Sequence, residues 1–144
     1  MSDIEYVRMV AETVLARLGD QAAEWRLLSV GEAPERVSPF PLPKPFGDLP
    51  PSRELRATVM WKATATGAAT VGYYNFSLDV PVPLAVAAMA DQIQDHAIEE
   101  SWGAALPPCP DHQHPLSVTT IDGVVSWACP KDPQHHCEPL LPRT

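Results

Sequence analysis

The chain has 144 residues, of which 45 % are hydrophobic and 19 % charged, a composition that excludes a disordered chain and suits one globular domain. Its net charge of −8 argues against non-specific binding to nucleic acids, which requires a positive surface. No apolar run reaches the roughly 18 residues that span a membrane, and the acidic start lacks the features of a signal peptide. We therefore expect a cytoplasmic protein.

The first element is a predicted helix over residues 3–18. Ser2 and Glu5 have the spacing of a capping box, in which each side chain accepts a hydrogen bond from the other residue's backbone N–H. Apolar residues follow at helical spacing, and Gly19 suits the end of the helix. The residues expected on the buried side are Ile4, Val7, Val10, Val14, Leu15 and Leu18.

Three strands are predicted next. Residues 24–30 are typical of a short strand. Residues 54–65 and 70–80 alternate apolar and polar side chains, which predicts two strands of an antiparallel hairpin that turns around Gly67. Between the first two strands, residues 37–52 hold six prolines in 16 residues. Because proline lacks a backbone N–H, this stretch is expected to be an extended loop.

A second helix is predicted over residues 83–102, after a proline that suits a helix start and before Gly103. The order of elements predicts an α+β fold, with a small antiparallel sheet of about three strands packed on two helices and a C-terminal β-hairpin. The inner side of the second helix is expected to hold Leu84, Ala87, Met89, Ala90, Ile93, Ala97, Ile98 and Trp102. Its Asp91, Asp95, His96, Glu99 and Glu100 are expected to form a solvated face.

The chain is expected to divide into an α+β domain, residues 1–106, and a tail, residues 107–144. In the tail, the run HPLSVTTIDGVVSWACP predicts a β-hairpin, because an Asp-Gly pair between alternating residues is a strong hairpin signal. Cys-Pro pairs that begin at Cys109 and Cys129 flank this hairpin. Its two strands would bring the cysteines together, in the manner of a zinc ribbon.

The cysteines and histidines of the tail indicate a metal site. Between His112 and Cys129 lie 16 residues, within the spacing of paired zinc-binding turns. Thiolate and imidazole suit Zn²⁺ better than Mg²⁺ or Ca²⁺, and we expect a structural zinc ion that supplies folding free energy to a short tail. Cys109 and Cys129 are the first candidate ligands, with His112 or His114 as the third. The fourth is the other of these histidines, or else Asp132, His135, His136 or Cys137.

The tail also resembles a segment of small uncharacterised proteins of high-GC actinobacteria, with a Cys-Pro-x-His-x-His-Pro start, a glycine-centred turn and a Trp-x-Cys-Pro end. The matching residues are Cys109, Pro110, His112, His114, Pro115, Gly123, Trp127, Cys129 and Pro130, within a stretch of 22 residues. The resemblance implies no activity. It does imply that both histidines and two cysteines act together, and so favours the ligand set Cys109, His112, His114 and Cys129, with Cys137 as the alternative fourth ligand.

The sequence contains no motif of a known catalytic site. It has no His-Glu-x-x-His, no Gly-x-Ser-x-Gly and no glycine-rich phosphate loop. We therefore expect a non-enzymatic accessory protein that binds protein partners and carries structural zinc. One alternative is a nucleic-acid-binding or transcription-associated protein, which would need a basic patch around Arg53, Arg56 and Lys62. The other is a zinc-dependent hydrolase, which would need an open position on the metal.

Overall fold

The structure, a computed structural model, describes residues 1–19, 23–34, 53–63 and 66–142. Within these ranges the chain forms an α+β fold of two helices and six strands. The helices are α1 (Asp3–Leu18) and α2 (Val82–Glu100), and the strands are β1 (Ala23–Glu32), β2 (Glu54–Ala63), β3 (Ala69–Ser77), β4 (Ser117–Ile121), β5 (Val124–Ala128) and β6 (Cys137–Pro139). The predicted proline-rich loop 37–52 lies outside the described residues.

Helix α1 begins and ends at the predicted residues. The Glu5 N–H donates to Ser2 Oγ at 3.1 Å, and the Ser2 N–H donates to Glu5 Oε2 at 3.0 Å, which completes the capping box. The predicted apolar stripe is buried from Val7 onward, whereas Ile4 in the first turn is exposed. Neither helix in the described residues is long and apolar enough to cross a membrane.

Strands β1, β2 and β3 form an antiparallel sheet in that order, which we call the N-terminal sheet. We call the face that the helices cover the inner face, and the opposite face the outer face. The alternation predicted for β2 is confirmed, with every second side chain buried on the inner face. These side chains are Leu55, Ala57, Val59 and Trp61.

Strand β3 alternates in the same way. Tyr74 and Phe76 are buried on the inner face, and Tyr73 lies exposed on the outer face. The strand predicted over residues 70–80 is three residues too long at its C-terminal end. Because β3 ends at Ser77 and the chain bends before α2, Val80 is exposed.

Helix α2 ends two residues earlier than predicted, and two of its predicted inner residues face solvent. Trp102 has a φ of 59° just beyond the helix end, and its side chain is 90 % exposed. The Gly103 N–H closes this turn by donating to the Ile98 carbonyl at 2.8 Å. Leu84 is 59 % exposed, because a helix of 3.6 residues per turn places it opposite the buried Ile93.

Strands β4, β5 and β6 form a second antiparallel sheet, the C-terminal sheet. The hairpin predicted in the tail is the β4–β5 pair, which turns at Asp122 and Gly123, both with positive φ. Strand β6 is not among the predicted strands. It pairs with β5, with Cys137 opposite Ala128. The tail therefore forms a three-stranded sheet of its own.

Helix α2 lies between the two sheets and contacts β3, β4 and β5. The buried Gln94 side chain joins α2 to the C-terminal segment, because its Nε2 donates to the Leu106 carbonyl at 3.0 Å and to the Leu116 carbonyl at 2.5 Å. Buried residues of both sheets and both helices belong to one hydrophobic cluster, which includes Trp61 and Trp127. The C-terminal sheet is thus packed on the rest of the protein.

A chain of hydrogen bonds joins α2 to the N-terminal sheet. Trp61 Nε1–H donates to the Tyr74 hydroxyl at 2.7 Å, and this hydroxyl contacts His96 Nδ1. The Glu100 carboxylate can only accept, so the hydrogen bond of 3.2 Å to Glu100 Oε1 requires a proton on His96 Nε2. In the neutral ring, Nδ1 then accepts from the Tyr74 hydroxyl. Burial raises the pKa of Tyr74, so the hydroxyl keeps its proton.

Gly72 provides the space for this chain of hydrogen bonds. A Cβ at position 72 would overlap the Tyr74 hydroxyl and lie 2.7 Å from His96 Nδ1. We expect Gly72→Ala to lower the free energy of unfolding, measured by urea denaturation, by about 1–3 kcal/mol. Gly31→Ala in β1 is the matched control, since nothing lies within 4 Å of its added Cβ. Equal losses in the two variants would contradict this explanation.

Candidate metal centre

The segment before β4 folds into a closed turn that carries three of the predicted ligands. Pro108 and Pro115 form an antiparallel bridge at its base. Inside this bridge the Cys109 N–H donates to the His114 carbonyl at 3.1 Å. Asp111, at the tip, has a φ of 65°, which reverses the chain direction within a few residues. The side chains of this turn are therefore close together.

A second turn follows β5. The Cys129 N–H donates to the His136 carbonyl at 2.9 Å, which closes the turn onto β6. In the β4–β5 ladder Ser117 lies opposite Ala128, so the residues before β4 and after β5 are at the same end of the hairpin. The hairpin thereby brings Cys129 close to the first turn, although β4 and β5 separate the two turns along the chain.

Four predicted ligands meet between the two turns. Each of the four side chains offers one potential ligand atom, and these four atoms lie within 4.8 Å of one another. The residues are Cys109, His112, His114 and Cys129. The His112 Nδ1 atom is 3.4 Å from Cys109 Sγ and 3.6 Å from Cys129 Sγ, and the His114 Nε2 atom is 3.9 Å from Cys129 Sγ. Sulfur and nitrogen ligands of a tetrahedral ion are about 3.6 Å apart when their bonds are about 2.3 and 2.0–2.1 Å. The cluster could therefore hold a metal ion.

Hydrogen bonds outside the cluster orient two imidazole rings. His114 Nδ1 lies 3.1 Å from the Pro115 carbonyl, which can only accept, so Nδ1 carries the proton and Nε2 presents its lone pair to the cluster. The His112 ring is flanked by the rings of His114 and His135, at centroid distances of 4.8 and 4.4 Å. His135 is itself held by its Nε2–H, which donates to the Pro110 carbonyl at 2.7 Å.

The surroundings of the cluster change the protonation of its members. Burial, followed by contact with Cys129, raises the pKa of the Cys109 thiol. Burial also acts to raise the pKa of the Cys129 thiol, but the backbone N–H groups of the following turn outweigh it and the net shift is downward. Partial desolvation by the surrounding side chains, followed by the neighbouring imidazole rings, lowers the pKa of His112. A thiolate at Cys129 and a neutral imidazole at His112 are the forms that bind metals.

The remaining candidate ligands lie around this cluster. Among the described residues, the group of close ligand atoms does not include Asp132, His135, His136 or Cys137. Cys137 is exposed in β6, and all three cysteines have free thiols. His136 Nε2 is buried 3.6 Å from Glu138 Oε2. The structure thus brings together the candidate residues of the set that ends at Cys129, three from the first turn and one from the second.

Sequence reasoning did not find the polar groups that connect α2 to both sheets. His96 was expected on a solvated face, but it is half-buried against Tyr74. Gln94 was not singled out, although it donates two buried hydrogen bonds. A buried tryptophan or tyrosine needs a partner for its polar atom. That need, at Trp61 and Tyr74, is the signal in the sequence that could have indicated a polar residue on α2.

No protein-family model, curated protein or solved structure matches this chain. What the site can do therefore follows from its own side chains. Two thiols and two imidazoles, held by two turns at one end of a hairpin, form a cluster with the donor set and the spacing of a metal centre.

Proposed function

We propose that this protein is a non-enzymatic accessory protein that binds protein partners, and that one structural Zn²⁺ holds its C-terminal segment together. The observation that carries the proposal is the convergence of four ligand atoms within 4.8 Å. Two thiolates and two imidazoles favour Zn²⁺ over the oxygen-preferring Mg²⁺ and Ca²⁺. The reduced thiols that such a site requires fit a reducing compartment such as the cytoplasm.

Four protein ligands favour a structural role over a hydrolytic one. A catalytic zinc ion has three protein ligands and keeps its fourth position for water or substrate. Here His112 and His114 both face the thiols, so a tetrahedral ion bound by the whole cluster has no free position. Such an ion would link the turn before β4 to the turn after β5. Its effect would be to fix the open end of the hairpin.

The charges of the N-terminal sheet favour a protein partner over a nucleic acid. Arg26, Arg56 and Lys62 lie on the outer face, but Glu24 and Glu54 share this face. Phosphate binding needs a clear excess of positive charge, whereas this face is nearly balanced and the chain as a whole carries −8. A mixed face of this kind suits contact with another protein surface.

Elemental analysis of protein purified without added metal tests the ligand set. We expect one zinc per chain in the wild type and in Cys137→Ser, and loss of zinc in Cys109→Ser and His114→Ala. Cys137→Ser is the matched control, because it exchanges the same atom outside the cluster. Zinc that is lost in Cys137→Ser and retained in His114→Ala would place the site at the C-terminal turn instead. Wild-type protein without zinc would contradict the proposal.

X-ray absorption at the zinc edge then separates a structural site from a hydrolytic one. We expect two sulfur ligands at about 2.3 Å and two nitrogen ligands at about 2.0–2.1 Å. Multiple scattering from the imidazole rings separates histidine nitrogen from water oxygen at the same distance. A signal from one ring instead of two would indicate bound water and would favour the hydrolase instead.

A further inference from the structure

The two edges of the N-terminal sheet differ in their protection against pairing with another strand. Strand β1, at one edge, contains three charged residues and an irregular register after Leu27. Charges and bulges are common means by which edge strands avoid such pairing. Strand β3, at the other edge, reads ATVGYYNFS and contains no charge and no proline. Its register with β2 is unbroken from Ala69 to Ser77.

The hydrogen-bond register shows which backbone groups of β3 reach the free edge. At the two ends of the β2–β3 ladder the Ala63 N–H donates to the Ala68 carbonyl, at 3.1 Å, and the Leu78 N–H donates to the Arg53 carbonyl, at 2.8 Å. Hydrogen-bonded pairs alternate along an antiparallel ladder, so the even-numbered residues of β3 bond to β2. No other described strand pairs with β3. The residues that direct their N–H and C=O groups away from β2 are Ala69, Val71, Tyr73, Asn75 and Ser77.

The side chains beside this free edge are exposed and largely apolar. Val71 is 46 % exposed and Tyr73 is 60 % exposed. The Arg56 guanidinium lies 5.1 Å from the centroid of the Tyr73 ring, and Arg56 Nε donates to Asn75 Oδ1 at 3.4 Å. The ring is therefore held on the outer face by its own sheet rather than by a neighbouring element.

The edges of the C-terminal sheet are weaker candidates for strand pairing. Strand β4 is also uncharged, but it has five residues, of which only Thr120 is exposed, and it lies against α2. Strand β6 has three residues. Of the four edges in the described residues, β3 therefore offers the longest exposed uncharged strand.

We propose that β3 pairs with β3 of a second copy of this chain, antiparallel about a two-fold axis, and that the two N-terminal sheets form one six-stranded sheet. We take the partner to be a second copy of the chain, because the hydrogen-bonding groups of this edge are complementary to those of an identical edge. Each odd-numbered residue offers one donor and one acceptor, which a two-fold axis presents to the same groups of the other copy. An uncharged strand also meets itself without the repulsion that like charges would cause.

The pairing would bring the two exposed tyrosines together. In an antiparallel pair centred near Gly72 or Tyr73, the Tyr73 rings of the two copies lie opposite or diagonal to each other on the outer face. Aromatic pairs at such cross-strand positions stabilise sheets. The inference concerns the N-terminal sheet and goes beyond the proposed zinc site, on which it does not depend.

Sedimentation velocity of the full-length, metal-loaded protein tests the pairing. We expect a species of twice the 15.7 kDa chain mass that dissociates on dilution through the micromolar range. A single-chain mass at every concentration, with zinc retained, would overturn this inference and leave the proposed zinc site intact. Growth beyond two copies would overturn it as well, because a two-fold pairing closes at the dimer.

Val71→Pro tests the edge itself. Proline at position 71 removes an N–H that points away from β2 and leaves the β2–β3 ladder complete, a position at which edge strands accept proline. We expect its dimer dissociation constant to rise at least about tenfold, because two hydrogen bonds are lost per dimer. Val71→Ala keeps the N–H and is the matched control. Equal dissociation constants for folded Val71→Pro and wild type would overturn the proposal.

Amide hydrogen exchange and a second variant test the proposed pairing if Val71→Pro does not fold. The amides of Val71 and Tyr73 should exchange slowly only at concentrations at which the dimer forms, whereas those of Gly72 and Tyr74 should be slow throughout. Slow exchange at position 71 in the monomer would overturn the proposal. Tyr73→Lys should also weaken the dimer, since it places like charges on both sides of the two-fold axis. An unchanged dimer dissociation constant for this variant would contradict the proposal.

Discussion

Replacing Cys129 by serine is expected to release the metal ion and to lower the free energy of unfolding by about 3–5 kcal/mol. Cys129 is the one member of the cluster that the second turn supplies, so its loss disconnects the two turns. A metal present at 1,000 times its dissociation constant stabilises the folded state by about 4 kcal/mol, which sets the expected size of the effect.

The loss should stop short of complete unfolding. Small zinc-finger peptides gain about 10–16 kcal/mol from their metal, because they have little other structure. Here the segment that carries the cluster also contributes Leu116, Val125 and Trp127 to the common hydrophobic core. These buried side chains remain after the metal is removed. We therefore expect a folded but less stable metal-free protein.

Urea denaturation with and without a chelator measures this contribution. The wild type with chelator should unfold at the same urea concentration as Cys129→Ser, and the chelator should not destabilise Cys129→Ser further. Cys137→Ser should respond to the chelator as the wild type does. A chelator that removes the metal and leaves the wild-type transition unchanged would show that the metal has no structural role.

Replacing Gln94 by leucine is expected to lower the free energy of unfolding by about 2–4 kcal/mol without removing the metal. Gln94 Nε2 is the donor to the carbonyls of Leu106 and Leu116, on the two sides of the turn that carries Cys109. Leucine would leave both carbonyls buried without this donor, and each unsatisfied group costs about 1–3 kcal/mol.

Gln92→Leu provides the matched control for this substitution. Gln92 lies in the same helix and is exposed, so the same change of side chain there should alter stability by less than about 0.5 kcal/mol. Urea denaturation and zinc content are measured on both variants. Equal stability of the two variants would contradict the role given to Gln94. Loss of zinc in Gln94→Leu alone would show that this contact also shapes the metal centre.

The elements that could be predicted are those that short-range interactions determine. The capping box of α1 joins Ser2 and Glu5, three residues apart, and the alternation of β2 repeats every two residues. The four candidate ligands also come together because of a local signal, since the Asp-Gly turn fixes the β4–β5 hairpin and so the distance between its ends. Their role as zinc ligands stays a prediction.

The elements that could not be predicted depend on contacts between distant residues. Tyr74 and His96 are 22 residues apart, and so are Gln94 and Leu116. Strand β6 has only three residues and is defined by its pairing with β5. None of these contacts leaves a periodic pattern in the sequence. They arise only when α2 lies between the two sheets, an arrangement that hydrophobic spacing does not specify.

The distribution of the tryptophans gives the protein a built-in set of optical reporters. Trp61 is fully buried in the N-terminal sheet and Trp127 is fully buried in the C-terminal sheet, two residues before Cys129, whereas Trp102 is almost fully exposed. The emission of a buried indole shifts to longer wavelength when water reaches it, and an exposed indole is quenched by iodide. The N-terminal sheet also contains Trp25, whose ring centroid is 5.3 Å from that of Trp61, whereas Trp127 is the fluorophore of the C-terminal sheet. Variants that keep only Trp61 or only Trp127 can therefore show whether both sheets lose their structure in one step.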